Sequence, residues 1–315
     1  MNRERVLVGV SDETDDQSTL NWVVQRAALT TIQVVVVSAF NSSGSERAEA
    51  EDPLARVRAR ITSGIPEVAV EFVPTTQSLL ESLIERSASA DLLVVGASPR
   101  HRLLSTLARS LPLRVAARAQ CATVVVPAAW HPSDGPIIVG IGDDQSADRA
   151  TLFAAREAIY CGCELVVVHC WSLPSTGDAI AISPLNPEEW RDSHLEILHE
   201  AVDRIRAAFP RVRIRAMLEH GRPGPQFAAL ADGSRLIVLG THHRGPLTEL
   251  LLGSTARDVL HAVLVPSEKK VAEVSTFTVA CLALDEQRVV GAAVLHDGDL
   301  IGCHAADRDA NTWSF

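Results

Sequence analysis

The sequence lacks any excess of positive charge. Among its 315 residues, 29 Lys and Arg stand against 39 Asp and Glu, a formal net charge of −10. Such a surface repels a phosphate backbone, and no Lys/Arg-rich run concentrates the opposite sign, so nucleic acid is not expected as a partner. Long apolar runs are missing too: none approaches the roughly 18 residues of a membrane span. Met1-Asn-Arg-Glu-Arg5 enters a strand-like segment without the apolar stretch of a signal peptide. No membrane is expected as a partner, and the cytoplasm is the expected location.

The six cysteines, at 121, 161, 163, 170, 281 and 303, have no disulfide-framework spacing. Cys161, Cys163, His169 and Cys170 resemble a ligand set, but 164–168 reads as a strand rising ~3.3 Å per residue, which separates the two ends by roughly 20 Å. Structural cysteines are the expectation. Catalytic signatures are absent as well. There is no Gly-x-Ser-x-Gly elbow and no Gly-x4-Gly-Lys-Ser/Thr loop, and Gly140-Ile-Gly-Asp-Asp-Gln145 lacks the third glycine of a dinucleotide fingerprint. An enzyme is therefore not expected.

What is present is an alternation of strands and helices. Arg5 to Val10 reads as a strand, about Thr14 to Leu29 as a helix, and Val34 to Val37 as a strand buried on both faces. Helix 46–61, strand 68–73, helix 78–88, strand 91–97, helix 105–118 with Pro112 inside it, and strand 123–126 follow. Alternation of this kind predicts a parallel, helix-covered sheet. Pro127 to Pro136 then breaks all periodicity and reads as a linker.

The pattern restarts behind the linker. At an offset of 131, Gly140 answers Gly9, Phe153 answers Trp22, Val166 to Val168 answer Val35 to Val37, and Trp171 answers Phe40. Gly240 answers Gly96 at 144, so the second copy carries 13 extra residues, mostly within 172–208. A fixed offset with matching residue types indicates duplication. The second copy continues with strand 213–218, helix 223–231, strand 235–239, helix 254–261 and a closing strand Val263-Leu-Val265. The expected organisation is a first domain over 1–128, a linker over 129–136, a second domain over 137–268 and a tail over 269–315.

The stretch Leu236 to Thr255 joins a strand to a Gly-Ser-Thr helix start, a junction suited to an anion because the first helical N–H groups lack internal partners. Together with Gly140-Ile-Gly-Asp143, Glu164-Leu-Val-Val-Val-His-Cys-Trp171 and His220-Gly-Arg-Pro223, it resembles a universal stress protein domain. The first copy matches through Val6-Leu-Val-Gly-Val10, Asp91-Leu-Leu-Val-Val-Gly96 and 119–127. The resemblance covers about residues 4 to 267 in two units. It implies two tandem five-stranded parallel sheets flanked by helices, Rossmann-like, with a short β-rich tail left over.

Members of that family that bind ATP use Gly-x2-Gly-x9-Gly-Ser/Thr after the fourth strand and an Asp at the end of the first. Carried onto the second copy, this selects Gly240, His243 in place of the middle glycine, and Gly253, Ser254 and Thr255. Gly142 stands where the Asp is expected, with Asp143 beside it. ATP or AMP is the implied ligand of this copy. In the first copy Pro99 removes an N–H and Arg109 replaces a glycine, so that pocket is expected to be degenerate, with Arg100, His101, Arg102 and Arg109 open to another anion.

The resemblance further implies a regulatory role in the stress response, with an adenine nucleotide and a regulatory protein as partners. It also implies an intrachain pseudo-dimer and leaves a homodimer open. The alternative is a protein-interaction scaffold with both pockets decayed. His242 and His243 are the histidines placed in the candidate loop, whereas His194 and His199, about 140° apart on a helix, are expected to be solvated.

Two features depart from the family pattern. From helix-start Ser to strand-end Pro takes 17 residues in the first copy, Ser110 to Pro127, but 12 in the second, Ser254 to Pro266. Either the helix is short or the last strand is displaced. The tail from Val271 also carries strand-like segments at 277–284 and 288–295, with His296-Asp-Gly-Asp299 as a hairpin turn.

Overall fold

A computed structural model of the chain describes residues 3–11, 16–39, 53–75, 77–97, 110–142, 146–173, 186–231, 233–241, 254–264, 278–283, 293–296 and 299–303. The first half runs β1 (Glu4–Ser11), α1 (Asp16–Leu29), β2 (Ile32–Ala39), α2 (Pro53–Gly64), β3 (Val70–Pro74), α3 (Leu79–Ser87), β4 (Leu92–Gly96), α4 (Leu111–Arg118) and β5 (Ala122–Val126). The second half repeats it as β6 (Ile137–Ile141), α5 (Ser146–Cys161), β7 (Leu165–Trp171), α6 (Pro187–Ala208), β8 (Ile214–His220), α7 (Pro223–Leu230), β9 (Leu236–Thr241) and α8 (Ser254–Leu264). Beyond it lie β10 (Thr278–Ala283), β11 (Ala293–His296) and β12 (Asp299–Cys303).

The strands form parallel sheets in the order β3-β2-β1-β4-β5 and β9-β6-β7-β8, merged by β10 into one sheet of ten. Val34 to Val37 in β2 are all buried, as a strand covered on both faces requires. Helices α1, α2, α5 and α6 pack a continuous core on one face, where Val8, Leu20, Ile61, Val139, Ala154 and Leu198 meet. The other face is covered by α3, α4, α7 and α8, through Leu83, Val115, Phe227 and Leu260. Each large aliphatic side chain so buried contributes about 1.5–3 kcal/mol. Ser110 immediately precedes α4 and Pro112 sits in its first turn, so the proline marks a helix start where its missing N–H costs nothing.

The end of the second half differs from the sequence expectation. Val263 and Leu264 are the last turn of α8, not the first residues of a strand. Ala256, Val259 and Leu260 are buried at helical spacing, and the 12 residues from Ser254 to Pro266 cannot hold a helix, a turn and a strand together. The fifth place is filled by β10, drawn from the tail. It pairs parallel with β9 over its whole length, Thr278↔Leu236 to Ala283↔Thr241, and antiparallel with β5 from Val279↔Val125 to Cys281↔Thr123. The predicted hairpin is present: β11 and β12 pair antiparallel, with His296↔Asp299 flanking the turn.

Because β10 is parallel to β9 and antiparallel to β5, the two halves run in opposite directions, and α1 and α5 lie side by side on one face. Between them Arg26, 3 % exposed, donates to the Glu157 carboxylate and, at 2.8 Å, to Glu4. Burial alone would lower the Arg26 pKa. The Glu157 and then the Glu4 carboxylates overcome that cost and hold it well above the ordinary value. The guanidinium also lies over the Tyr160 ring, 5.5 Å from its centroid. The linker is clamped as well. Ser18 donates to Ala128 O at 2.6 Å, Arg235 Nε donates to Ser133 O at 2.7 Å, and Gly135 lies so close to Gly233 O that a Cβ would collide with it.

Removing one member of a buried pair strands its partner's charge. Arg26→Ala is expected to cost about 3–5 kcal/mol in denaturant unfolding, and the double change Arg26→Met/Glu157→Leu to recover most of it. A loss below about 1 kcal/mol for Arg26→Ala would place the pair outside the energetics of the interface.

Candidate functional site

In the second half the chain leaves β6 toward β7 on one side and returns as β9 on the other, which makes the C-terminal ends of β6 and β9 a topological switch point. Their mutual register ends at Val139↔Val238, while β6 runs on to Ile141 and β9 to Thr241, leaning on β10. A Cβ on Gly140 would meet Phe227 at 2.7 Å and Leu239 at 3.1 Å, so the floor of the opening is tight. Gly142, two residues on, is exposed, and a Cβ there meets nothing within 4 Å among the described residues.

Gly142 and Gly240 are therefore brought to the ends of adjacent strands. Ser254 is the first residue of α8, which packs on β9 and α7, and Thr255 is half-buried in its first turn. Asp143, His243 and Gly253 lie outside the described residues, as do His242, Pro99, Arg100, His101, Arg102 and Arg109. In the first half Gly9 repeats the tight floor, with Leu83 at 2.7 Å from an added Cβ. The helix-start Ser110 is 1 % exposed, makes no side-chain cap, and its hydroxyl has no partner among the described residues.

One cluster at the same end of the second sheet was not foreseen. His169, 2 % exposed, places Nδ1 3.2 Å from Ile141 O and Nε2 2.8 Å from His194 Nδ1. The carbonyl can only accept, so His169 carries a proton on Nδ1, and a second proton is shared between His169 Nε2 and His194 Nδ1. His194 stacks on Trp171 at 6.1 Å and meets the Trp190 ring edge to face at 5.3 Å, while Trp171 packs against His220 at 4.8 Å. His194 is thus half-buried against aromatic rings, which corrects its reading as a solvated residue; His199 is exposed as expected.

The signal for this cluster lay in the helix stripe. Trp190 and His194 extend the buried line of Leu198, Val202 and Ile205 backward by steps of four. The long α6, 22 residues against 12 in α2, carries that line past the sheet end to His169. The cluster grips the carbonyl immediately before Gly142 and so fixes the end of β6. Among the described residues no group of three or more His, Cys, Asp or Glu is arranged to hold a metal.

The two glycines of β6 should respond differently to a side chain. Gly140→Val is expected to cost about 1–3 kcal/mol through overpacking against Phe227, and Gly142→Ala to stay within about 0.5 kcal/mol of the parent in thermal unfolding. Equal losses at both positions would contradict the open end of β6.

Comparison with known proteins agrees with this architecture. The family model of the universal stress protein family matches twice, over residues 2–127 and 135–266. A universal stress protein of Mycobacterium tuberculosis is 26 % identical over 282 residues, covering 83 % of this chain and 95 % of that protein. One from Mycolicibacterium smegmatis is 26 % identical over 283 residues, with the same coverage. Among solved structures, a universal stress protein from Archaeoglobus fulgidus superposes with a TM-score of 0.60 at 14 % identity, covering 89 % of this chain and 96 % of its own. Both repeats thus match one family model in sequence and one architecture in space, and the chain belongs to the universal stress protein family, as a tandem member.

Proposed function

We propose that the second half binds an adenine nucleotide, ATP or AMP, at the switch point between β6 and β9. The protein then acts in the stress response by presenting its bound or empty state to a regulatory protein partner, not by turnover. The observation that carries this reading is the open backbone at Gly142 beside a strand–loop–helix junction running from Gly240 to Ser254. The N–H groups opening α8 have no intrahelical partners, and the helix dipole favours an anion at that end. Gly253 has no side chain to hold a phosphate off the backbone, and Ser254 and Thr255 are residue types whose hydroxyls donate to anions. The first half is assigned a structural part: its helix-start Ser110 is buried.

Calorimetric titration of the whole chain with ATP and with AMP tests the proposal. Saturable binding is expected, and it should be lost in Gly142→Val and Gly253→Val while the folded structure persists. No binding by the parent protein would select the scaffold reading, and steady product formation would select an enzyme. The proposal sets His242 and His243, within the stretch from Gly240 to Ser254, near the phosphate, and since histidine gains positive charge toward acid pH, affinity for the anion should rise as pH falls from about 8 to about 6. A flat profile removes those two side chains from the phosphate.

A further inference from the structure

The opposite end of the second sheet, where β6, β7, β8 and β9 begin, holds a cavity of about 370 Å³, lined by Cys161, Cys163, Arg213, Arg215 and Arg235 with Asp134 and Glu164. Helix α5 ends at Cys161. Gly162, at φ +63°, turns the chain back, its N–H donating to Ile159 O at 3.2 Å and that of Cys163 to Ala158 O at 3.1 Å. This doubly bonded helix end holds the two cysteines on either side of a glycine in the left-handed region. Cys161, Cys163 and Arg235 line the same cavity, and the two cysteines stand only two residues apart across Gly162.

The cations of the cavity exceed its anions. Arg215 pairs with Glu164 at 3.1 Å and Arg235 with Asp134 at 3.6 Å, whereas Arg213 donates to Gly162 O at 3.4 Å and has no carboxylate partner among the described residues. Glu157, one turn before Cys161, is engaged by Arg26. We propose that Cys161 and Cys163 form a dithiol site that undergoes exchange with a small carboxylate-bearing disulfide received among Arg213, Arg215 and Arg235.

The chemistry closes in two steps. The Cys161 thiolate attacks one sulfur of the small disulfide. A bond forms between them, the disulfide's own S–S bond breaks, and one small thiolate leaves and takes a proton from water. The Cys163 thiol then gives its proton to solvent and attacks the Cys161 sulfur, releasing the second small thiol. Two cysteines are oxidised to one disulfide, and one small disulfide is reduced to two thiols.

The electrostatics suit each role. The hydrogen bond from Cys163, followed by the hydrogen bond and charge of Arg235, outweighs burial and lowers Cys161 to about 6. Cys163 is pushed up by the hydrogen bond to Cys161, by burial and by the Cys161 charge. The first and third of these causes vanish once Cys161 is capped, which readies the second step. Cys170, lifted to about 11 by burial and Glu219, is a built-in comparison.

The test treats the reduced full-length protein with oxidised glutathione and maps the products by peptide mass spectrometry. The expected product is a Cys161–Cys163 disulfide. Cys163→Ser should trap glutathione on Cys161, and Cys161→Ser should give neither product. Oxidised glutathione should react about tenfold faster than the dicationic disulfide cystamine at low salt, and Arg213→Ala/Arg215→Ala should erase that preference. Reaction at Cys121 or Cys170 as fast as at Cys161, an adduct on Cys161 that Cys163 never resolves, or equal rates with cystamine would each overturn the proposal.

Discussion

The structure depends on a strand that neither repeat supplies. Backbone N–H and C=O groups in the middle of a sheet must find partners on both sides, because no water reaches them. Between β5 and β9 that need is met by β10, which completes the second sheet on one edge and joins the first on the other. Without it two strand edges would face each other unpaired. The opposed directions of the halves, and with them the C-terminal strand ends of the two halves at opposite ends of the merged sheet, follow from its one parallel and one antiparallel pairing.

Duplication also changes what the junction can be made of. Arg26 and Glu157 are separated by 131 residues, the offset of the repeat itself. In a symmetric pair of identical chains, a position near the two-fold axis meets its own copy, and a charge there would meet a like charge. Two copies in one chain can diverge, one to Arg and one to Glu, and the self-contact becomes an ion pair. Glu4 and the Tyr160 ring complete the surroundings of a cation that would otherwise be expensive to bury.

Much of the fold was legible because its signals are local. The valine runs of β2 and β7 declare buried strands, and the fixed offset declares two copies. The shortened Ser254-to-Pro266 segment left two readings open, a short helix or a displaced last strand, and the structure selects the second. Where it had gone was a question of long-range pairing, and 277–284 read as a strand without any indication of its neighbours.

Of the candidate site, the sequence placed Gly142 and Gly240 at strand ends, and the structure brings those ends onto adjacent strands. The His169–His194–Trp171 cluster was not legible, since it depends on how far the first turns of α6 overhang the sheet. The arginine neighbours of Cys161 and Cys163 were not legible either, since they arrive from two other segments of the chain, 213–215 and 235.

The central claim is that the strand from the tail is an interior member of the sheet. Hydrogen exchange of the native protein reads this directly, since a backbone amide paired on both sides opens only with the global unfolding of its unit. The account predicts that amides of 278–283 exchange as slowly as those of 236–241 in β9. Exchange at the rate of an unprotected chain, with β9 still protected, would contradict it.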